Sequence, residues 1–202
     1  VVEYVSVHYG CPKCKTDDEK PNIIHAPVPA ALLRSYASPS IVAWVIYSKY
    51  VNGMPLYHQE KDWLQYGFEL SRATMANWVI ECTDKYLRVL YEFYHRLLLS
   101  RGFAMADESR IQVLKEEGRE ATAKSYMWLF RSGEDDTPPI VLYKYASTRR
   151  GDVAKEFLKG FNGYLMADGY TGYNKVQDIK RCCCFAHIRR YFFDAIPKGK
   201  NR

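Results

Sequence analysis

Two segments of the chain run apolar residues straight into an aspartate: Phe103-Ala104-Met105-Ala106-Asp107-Glu108-Ser109 and Tyr164-Leu165-Met166-Ala167-Asp168-Gly169-Tyr170. Apolar runs of this length, bounded by turn residues, read as strands. A carboxylate at the end of a buried strand is held rigidly at the rim of a core. If the two strands are neighbours, the aspartates form an oxygen-rich site for a hard cation such as Mg²⁺ or Mn²⁺. Metal ions at such a site can act on both the attacking and the leaving oxygen of a phosphodiester. The same residues also have a purely structural reading. Asp is common at strand ends, and Asp168-Gly169 is a turn dipeptide in any protein. Glu108 follows Asp107 on the same strand, so it points to the opposite face and is not expected as a ligand.

A second candidate metal feature is Cys11-Pro12-Lys13-Cys14, two soft ligands at half-site spacing. A structural zinc tetrahedron needs four, and the spacing of His8 and His25 matches no standard pattern. The expectation is a partial zinc site, completed only in a longer protein. A redox pair is the other reading, although no βαβ pattern follows it. The remaining cysteines, Cys82 and the run Cys182-Cys183-Cys184, do not resemble a secreted disulfide framework and fit a reducing, cytoplasmic compartment.

The composition is 48% hydrophobic and 15% aromatic, enough to bury a core and against disorder. Net charge is +6, and residues 181–202 concentrate six Lys/Arg against one Asp. A basic flank beside acidic metal ligands suits a polyanion, although a solvated helix face carries the same charges. No apolar run approaches the length of a membrane span, and the start has no secretory pattern. The chain begins without Met, and its start and finish read as those of a fragment.

Three regions must position these residues. Residues 1–29 are polar and Pro-rich. Residues 30–101 read as helical: Ser38-Pro39 opens one helix, Pro55 a second ending at Gly67, and Ser71 caps a third that runs, with at most one break, to Leu99. The second and third have helix-turn-helix proportions, which brings Arg72 and Thr74 toward DNA. A helical hairpin that merely packs accounts for them equally well. Residues 102–202 read as β-β-β-α-β-α-β-α, with Asp152 capping a helix to Lys159, a strand at Lys180–Cys184 and a helix from Ala186 to Ala195. This is an α+β or α/β pattern, a mixed sheet with helices on its faces. A helical crossover between the third strand and the Asp168 strand lets Asp168 lie parallel beside Asp107.

This strand order, with carboxylates on its first and fourth strands, resembles the ribonuclease-H-like core of DDE transposases. The local text resembles the insertion-sequence-66 family of bacterial transposases. The motifs that carry the likeness are Ala106-Asp107-Glu108-Ser109, Asp168-Gly169-Tyr170-Thr171-Gly172-Tyr173 and Cys184-Phe185-Ala186-His187-Ile188-Arg189-Arg190-Tyr191-Phe192, with Lys49-Tyr50, Pro55-Leu56-Tyr57 and Cys11–Cys14 upstream. Ser109 stands where the family carries Thr. The resemblance implies strand cleavage and transfer at mobile-element ends, with Asp107 and Asp168 holding Mg²⁺ or Mn²⁺. The third ligand would be a Glu beyond this chain, so the fragment alone is expected to be inactive. It further implies His187 near the scissile phosphate, Arg149, Arg189 and Arg190 as phosphate contacts, and zinc at Cys11 and Cys14 in the full-length protein only. The expected partners are terminal-repeat and target DNA and further copies of the protein in the active complex, in a nucleoid-associated cytoplasmic setting without membrane. The alternatives are a DNA-binding or assembly module without catalysis, and another ribonuclease-H-like nuclease.

Overall fold

The computed structural model describes residues 5, 7–10, 23–25, 33 and 37–197, and the chain divides into two compact units, Val1–Tyr86 and Leu87–Arg202. Cys11 and Cys14 lie outside the described residues, as do Lys198, Lys200 and Arg202.

In the first unit, β1 (His8–Gly10) pairs antiparallel with β2 (Ile23–His25). Three helices follow: α1 (Pro39–Tyr50), α2 (Leu56–Gln65) and α3 (Arg72–Cys82). The expected starts are present with their physical cause. The Ser38 hydroxyl accepts from the Ile41 N–H ahead of Pro39, and the Ser71 hydroxyl accepts from the Thr74 N–H, each satisfying a donor the helix cannot. Gly67 closes α2 at φ +74°, a conformation that a side chain resists. Apolar residues at helical spacing, Val42 and Val45 from α1 and Met75, Trp78, Val79 and Cys82 from α3, form the core of this unit. Gln59 of α2 is fully buried; its amide nitrogen donates to the Met54 carbonyl at 2.9 Å, whereas its Oε1 has no hydrogen-bond partner among the described residues.

The break expected in the third helix is a single π-helical turn, Thr83–Leu87, after which α4 spans Arg88–Leu99. The Thr83 hydroxyl bonds back to the Val79 carbonyl at 2.7 Å and competes with the regular ladder there. The sequence reading groups residues 30–101 together, whereas α4 belongs to the second unit. The reason is packing: Leu98 is fully buried with Trp128, Phe130 and Phe157, and Tyr91 and Leu99 flank it.

The second unit is built on β3 (Phe103–Gln112), β4 (Lys124–Ser132), β5 (Val141–Ala146), β6 (Tyr164–Ala167) and β7 (Lys180–Cys183). Two helices accompany them, α5 (Asp152–Phe157) and α6 (Phe185–Asp194). The sheet order is β5-β4-β3-β6-β7; β3, β4 and β5 form an antiparallel meander, and β6 and β7 add in parallel on the other side of β3. This is a mixed sheet, as the strand pattern implies.

Three local expectations are corrected. The first strand continues past Asp107 to Gln112, because β4 pairs with it along that whole length. The segment between β6 and β7 is a short 3₁₀ turn, Thr171–Lys175, rather than an α-helix. Asp152 is the first residue of α5 and not its cap; Gly151 holds the cap position, and Asp152 instead pairs with Lys175 at 2.8 Å.

Alternation decides which sheet face is covered. Ala104 and Ala106 of β3, Trp128 and Phe130 of β4, Leu142 of β5, and Leu165 and Ala167 of β6 are buried on one face beneath Leu98, Ala154, Phe157 and Leu158. On the other parity, Met105, Leu129 and Met166 are half-buried, while Tyr143 and Tyr164 are exposed.

Gly151 and Gly172 meet back to back beneath this layer. A Cβ on Gly151 would lie 2.2 Å from the Gly172 carbonyl oxygen, a backbone atom that cannot swing away. Gly151→Ala should therefore destabilise the fold by about 1–3 kcal/mol, read as a lower urea midpoint at unchanged m-value. Gly160→Ala is an informative control: it is also strained, at φ +87°, but has open space around its Cβ.

Candidate active site

The site is built at the ends of the parallel strands. Met105 of β3 pairs in register with Met166 of β6, and Asp107 and Asp168 each follow that pair by two residues, Asp107 within β3 and Asp168 just past β6. Asp168 lies one residue past the end of β6. Continuing the β6–β7 register from Ala167–Cys183 sets Cys184, the N-cap position of α6, beside it. Both aspartates are half-buried. Asp107 Oδ1 accepts from the Glu108 N–H, and Asp168 Oδ1 accepts from the Tyr170 N–H, each at 2.9 Å. The second is a side-chain turn that fixes the Asp168 carboxylate and bends the chain away from the strand.

The Asp168–Tyr173 motif now has a physical account. Tyr170 places its ring under the Arg149 guanidinium, 4.2 Å from centroid to Cζ, and its hydroxyl donates to the Arg149 carbonyl. Gly172 carries no Cβ, which would fall 2.2 Å from a Tyr170 ring carbon. Tyr173 is fully buried and its hydroxyl donates to Glu108 Oε2 at 2.6 Å. Burial pushes the Tyr173 pKa up, and the bond and charge of Glu108, with further contributions from Asp168 and Asp107, push it the same way. Its hydroxyl thus remains a donor well above the ordinary tyrosine range.

Glu108 does point away from Asp107, as strand alternation requires, and its side chain has no exposed surface. The sequence reading dismissed it as a ligand and assigned it nothing else. It is the anchor of an ion-pair network. Arg149 places Nε 2.7 Å and Nη2 2.5 Å from Glu108 Oε1, while the same Nη2 lies 3.6 Å from Asp168 Oδ2. Desolvation pulls the Arg149 pKa down, but Glu108 and Asp168 outweigh it and the net shift is upward. Arg149, expected as a phosphate contact, is engaged within the protein. Arg181 reaches the same place from β7 and donates to the Asp168 main-chain oxygen at 2.8 Å. The signal for Tyr173 and Glu108 was present in the sequence only as polar groups inside apolar strand and turn patterns.

The other candidates are distributed differently. His187 lies in the first turn of α6, half-buried, and its Nδ1 is enclosed without a hydrogen-bond partner among the described residues. Arg189 and Arg190 are exposed on the same helix. Arg72 is exposed at the start of α3; its N–H donates to Glu60 Oε1 at 2.9 Å and its side chain lies 3.9 Å from Glu60 Oε2. Among the described residues, no three His, Cys, Asp or Glu side chains group to hold a metal, so the aspartates stand as a pair. An open hollow of about 580 Å³ lies elsewhere in this unit, against Tyr91, His95, Lys144 and Glu156, and includes neither aspartate. No helix among the described residues is long and apolar enough to cross a membrane.

Comparison with known proteins follows the same residues. A family profile described as "Transposase IS66 family" matches residues 34–202, which include both aspartates and their flanking motifs. The uncharacterized protein y4qI of Sinorhizobium fredii (strain NBRC 101917 / NGR234) is 30% identical over 89% of this chain and 36% of its own length. The uncharacterized protein y4jD of the same organism is 28% identical over 93% of the chain and 38% of its own length. The chain thus spans little more than a third of these curated relatives, and no solved structure matches it. Matched from the first helices through α6, this chain belongs to the IS66 family of transposases.

Proposed function

We propose that this chain is part of the catalytic core of a transposase that cuts and rejoins DNA at the ends of a mobile element, with Asp107 and Asp168 as two of its metal-binding carboxylates. The observation that supports the reading is that these aspartates each follow the in-register pair Met105–Met166 of two adjacent parallel strands by two residues. The strand order, an antiparallel meander extended by two parallel strands, supports a ribonuclease-H-like core. The donor set also fits a divalent ion. Two hard carboxylates follow adjacent parallel strands, and a cationic guanidinium already lies against one of them. When bound, Mg²⁺ or Mn²⁺ would supply activation of the attacking oxygen and stabilisation of the leaving one.

The chain's own residues then have definable work. Asp107 and Asp168 hold negative charge at fixed positions, and the Asp168 turn keeps its carboxylate from swinging away. His187, in the first turn of α6, is a candidate hydrogen-bond donor to a phosphate oxygen. Arg189 and Arg190, exposed on α6, meet DNA phosphates, and Arg72 is a separate candidate phosphate contact within the helical unit. A third carboxylate, a partial zinc module at Cys11 and Cys14, and a multimeric active complex belong to the same reading of the full-length protein.

Calorimetric or paramagnetic titration of the chain with Mn²⁺ tests the ligand assignment. Weak binding is expected, because two carboxylates are fewer than a complete site requires, and Asp107→Asn with Asp168→Asn should abolish it. Persistence of the same binding in the double variant would remove the site from this pair. A second reading, a DNA-binding module without catalysis, is favoured by the exposed arginines of α6 together with the absence of a third acidic ligand among the described residues.

A further inference from the structure

Two anions compete for Arg149, and the geometry shows which one holds it. Glu108 has no exposed side-chain surface and takes two N–H groups on Oε1, whereas Asp168 Oδ2 is 15%-exposed in its side chain and sits 3.6 Å from Nη2. The first contact is a charge-assisted hydrogen bond; the second is an ion pair beyond hydrogen-bond distance. The order has a physical cause. A carboxylate buried without a partner is far costlier than one at the rim, which water or another cation can serve. Tyr173 completes Glu108 on Oε2, and the Tyr170 ring supports the guanidinium face, so Arg149 is retained by contacts that do not involve Asp168. Arg181 bonds the Asp168 main chain rather than its carboxylate.

We propose that Glu108 and Arg149 are positioning residues that set the charge of the carboxylate site: Arg149 is the counter-cation that a divalent ion displaces from Asp168, and Glu108 retains it when that happens. The inference rests on the reading of Asp107 and Asp168 as metal ligands. Without metal, Arg149 offsets the repulsion between neighbouring carboxylates and keeps Asp168 in place. With metal, its charge opposes the incoming ion, and its hold on Glu108 limits that opposition.

The consequence is a pair of effects with opposite sign. Removing the charge at Arg149 should tighten Mn²⁺ binding. Removing the charge at Glu108 frees Arg149 to close on Asp168 and should weaken it. A merely structural ion pair would move both variants in the same direction, since each breaks the same contact.

The experiment is Mn²⁺ titration of the chain by calorimetry, with near-ultraviolet circular dichroism on every variant. Arg149→Gln should tighten binding about tenfold, the effect of deleting one charge within several ångströms of a divalent ion in a water-like dielectric. Arg149→Lys, which keeps the charge, should stay within about twofold of the parent. Glu108→Gln should weaken binding. Should parent binding fall below detection, Arg149→Gln must bring it into range. If Arg149→Gln does not fold, Glu108→Gln/Arg149→Gln decides, because it leaves no buried charge unpaired: affinity equal to or tighter than the parent supports the proposal, and weaker affinity overturns it. A shared direction for the two single variants, or no shift in either, also overturns it. Binding that survives Asp107→Asn and Asp168→Asn unchanged would instead sink the ligand assignment, a result that these variants report separately.

Discussion

Asp107→Ala in the full-length transposase is expected to lower Mg²⁺-dependent cleavage of terminal-repeat DNA about a thousandfold or more, since metal ions stabilise transition-state charge by several kcal/mol. The loss should be chemical and not structural. Asp107 sits on β3, which is laddered to β4 on one side and to β6 on the other, and its carboxylate accepts a bond from the adjacent Glu108 N–H. Removing that carboxylate leaves both ladders and the buried face of the sheet intact. Asp168→Ala should have a loss of similar size, with an added effect on the turn that its side chain closes. The measurement is a nicking assay on terminal-repeat DNA, with duplex binding followed in parallel. On the proposed reading, binding should persist and fall steeply with salt, because phosphate contacts by the exposed arginines of α6 would release counterions. Cleavage that continues undiminished without Asp107 would put the non-catalytic DNA-binding module ahead of the reading proposed here.

Phe130→Ala should cost about 3–5 kcal/mol of stability, the range for deleting a large aromatic from a packed core. Phe130 has no exposed surface, stacks on Phe157 at a centroid distance of 3.9 Å, and lies beside Trp128 at 6.4 Å. It therefore joins the centre of the sheet to α5, and its loss leaves a cavity that neither a strand paired on both sides nor its helix can close. Since domains of this size have a net stability of about 5–15 kcal/mol, the variant should be largely unfolded at modest denaturant. Urea unfolding followed by tryptophan fluorescence reads it, with Trp128 reporting on this unit and Trp44, Trp63 and Trp78 on the other. Tyr143→Ala is the comparison: it lies on edge strand β5 with a 60%-exposed side chain and should shift stability by less than about 0.5 kcal/mol. A Phe130 variant as stable as the Tyr143 one would mean that the Trp128–Phe130–Phe157 stack does not carry the core.

Local chemistry made much of this protein legible before any tertiary contact was known. Ser38-Pro39 and Ser71 mark helix starts because a hydroxyl must satisfy the first free N–H groups, and the structure shows both bonds. The apolar runs ending at Asp107 and Asp168 are strands because their side chains suit a buried pleat. The parallel placement of the Asp168 strand follows from the helix that precedes it. One local signal was overridden by packing. Asp152 has the chemistry of a cap, yet it pairs with Lys175, since Gly151 must approach Gly172 too closely for any other residue to stand there.

What the sequence could not decide was who partners whom across long separations. Glu108 and Tyr173 lie 65 positions apart, and Glu108 and Arg149 lie 41 apart; nothing local distinguishes them from ordinary charged and aromatic residues. Only the packing of β3 against the turn after β6 removes water from Glu108, and only that removal compels it to find Arg149 and Tyr173. Strand alternation determined that Glu108 turns its back on Asp107. The tertiary structure decided that it would be buried there, against Tyr173 and Arg149, and a buried charge must bring its counter-charge with it.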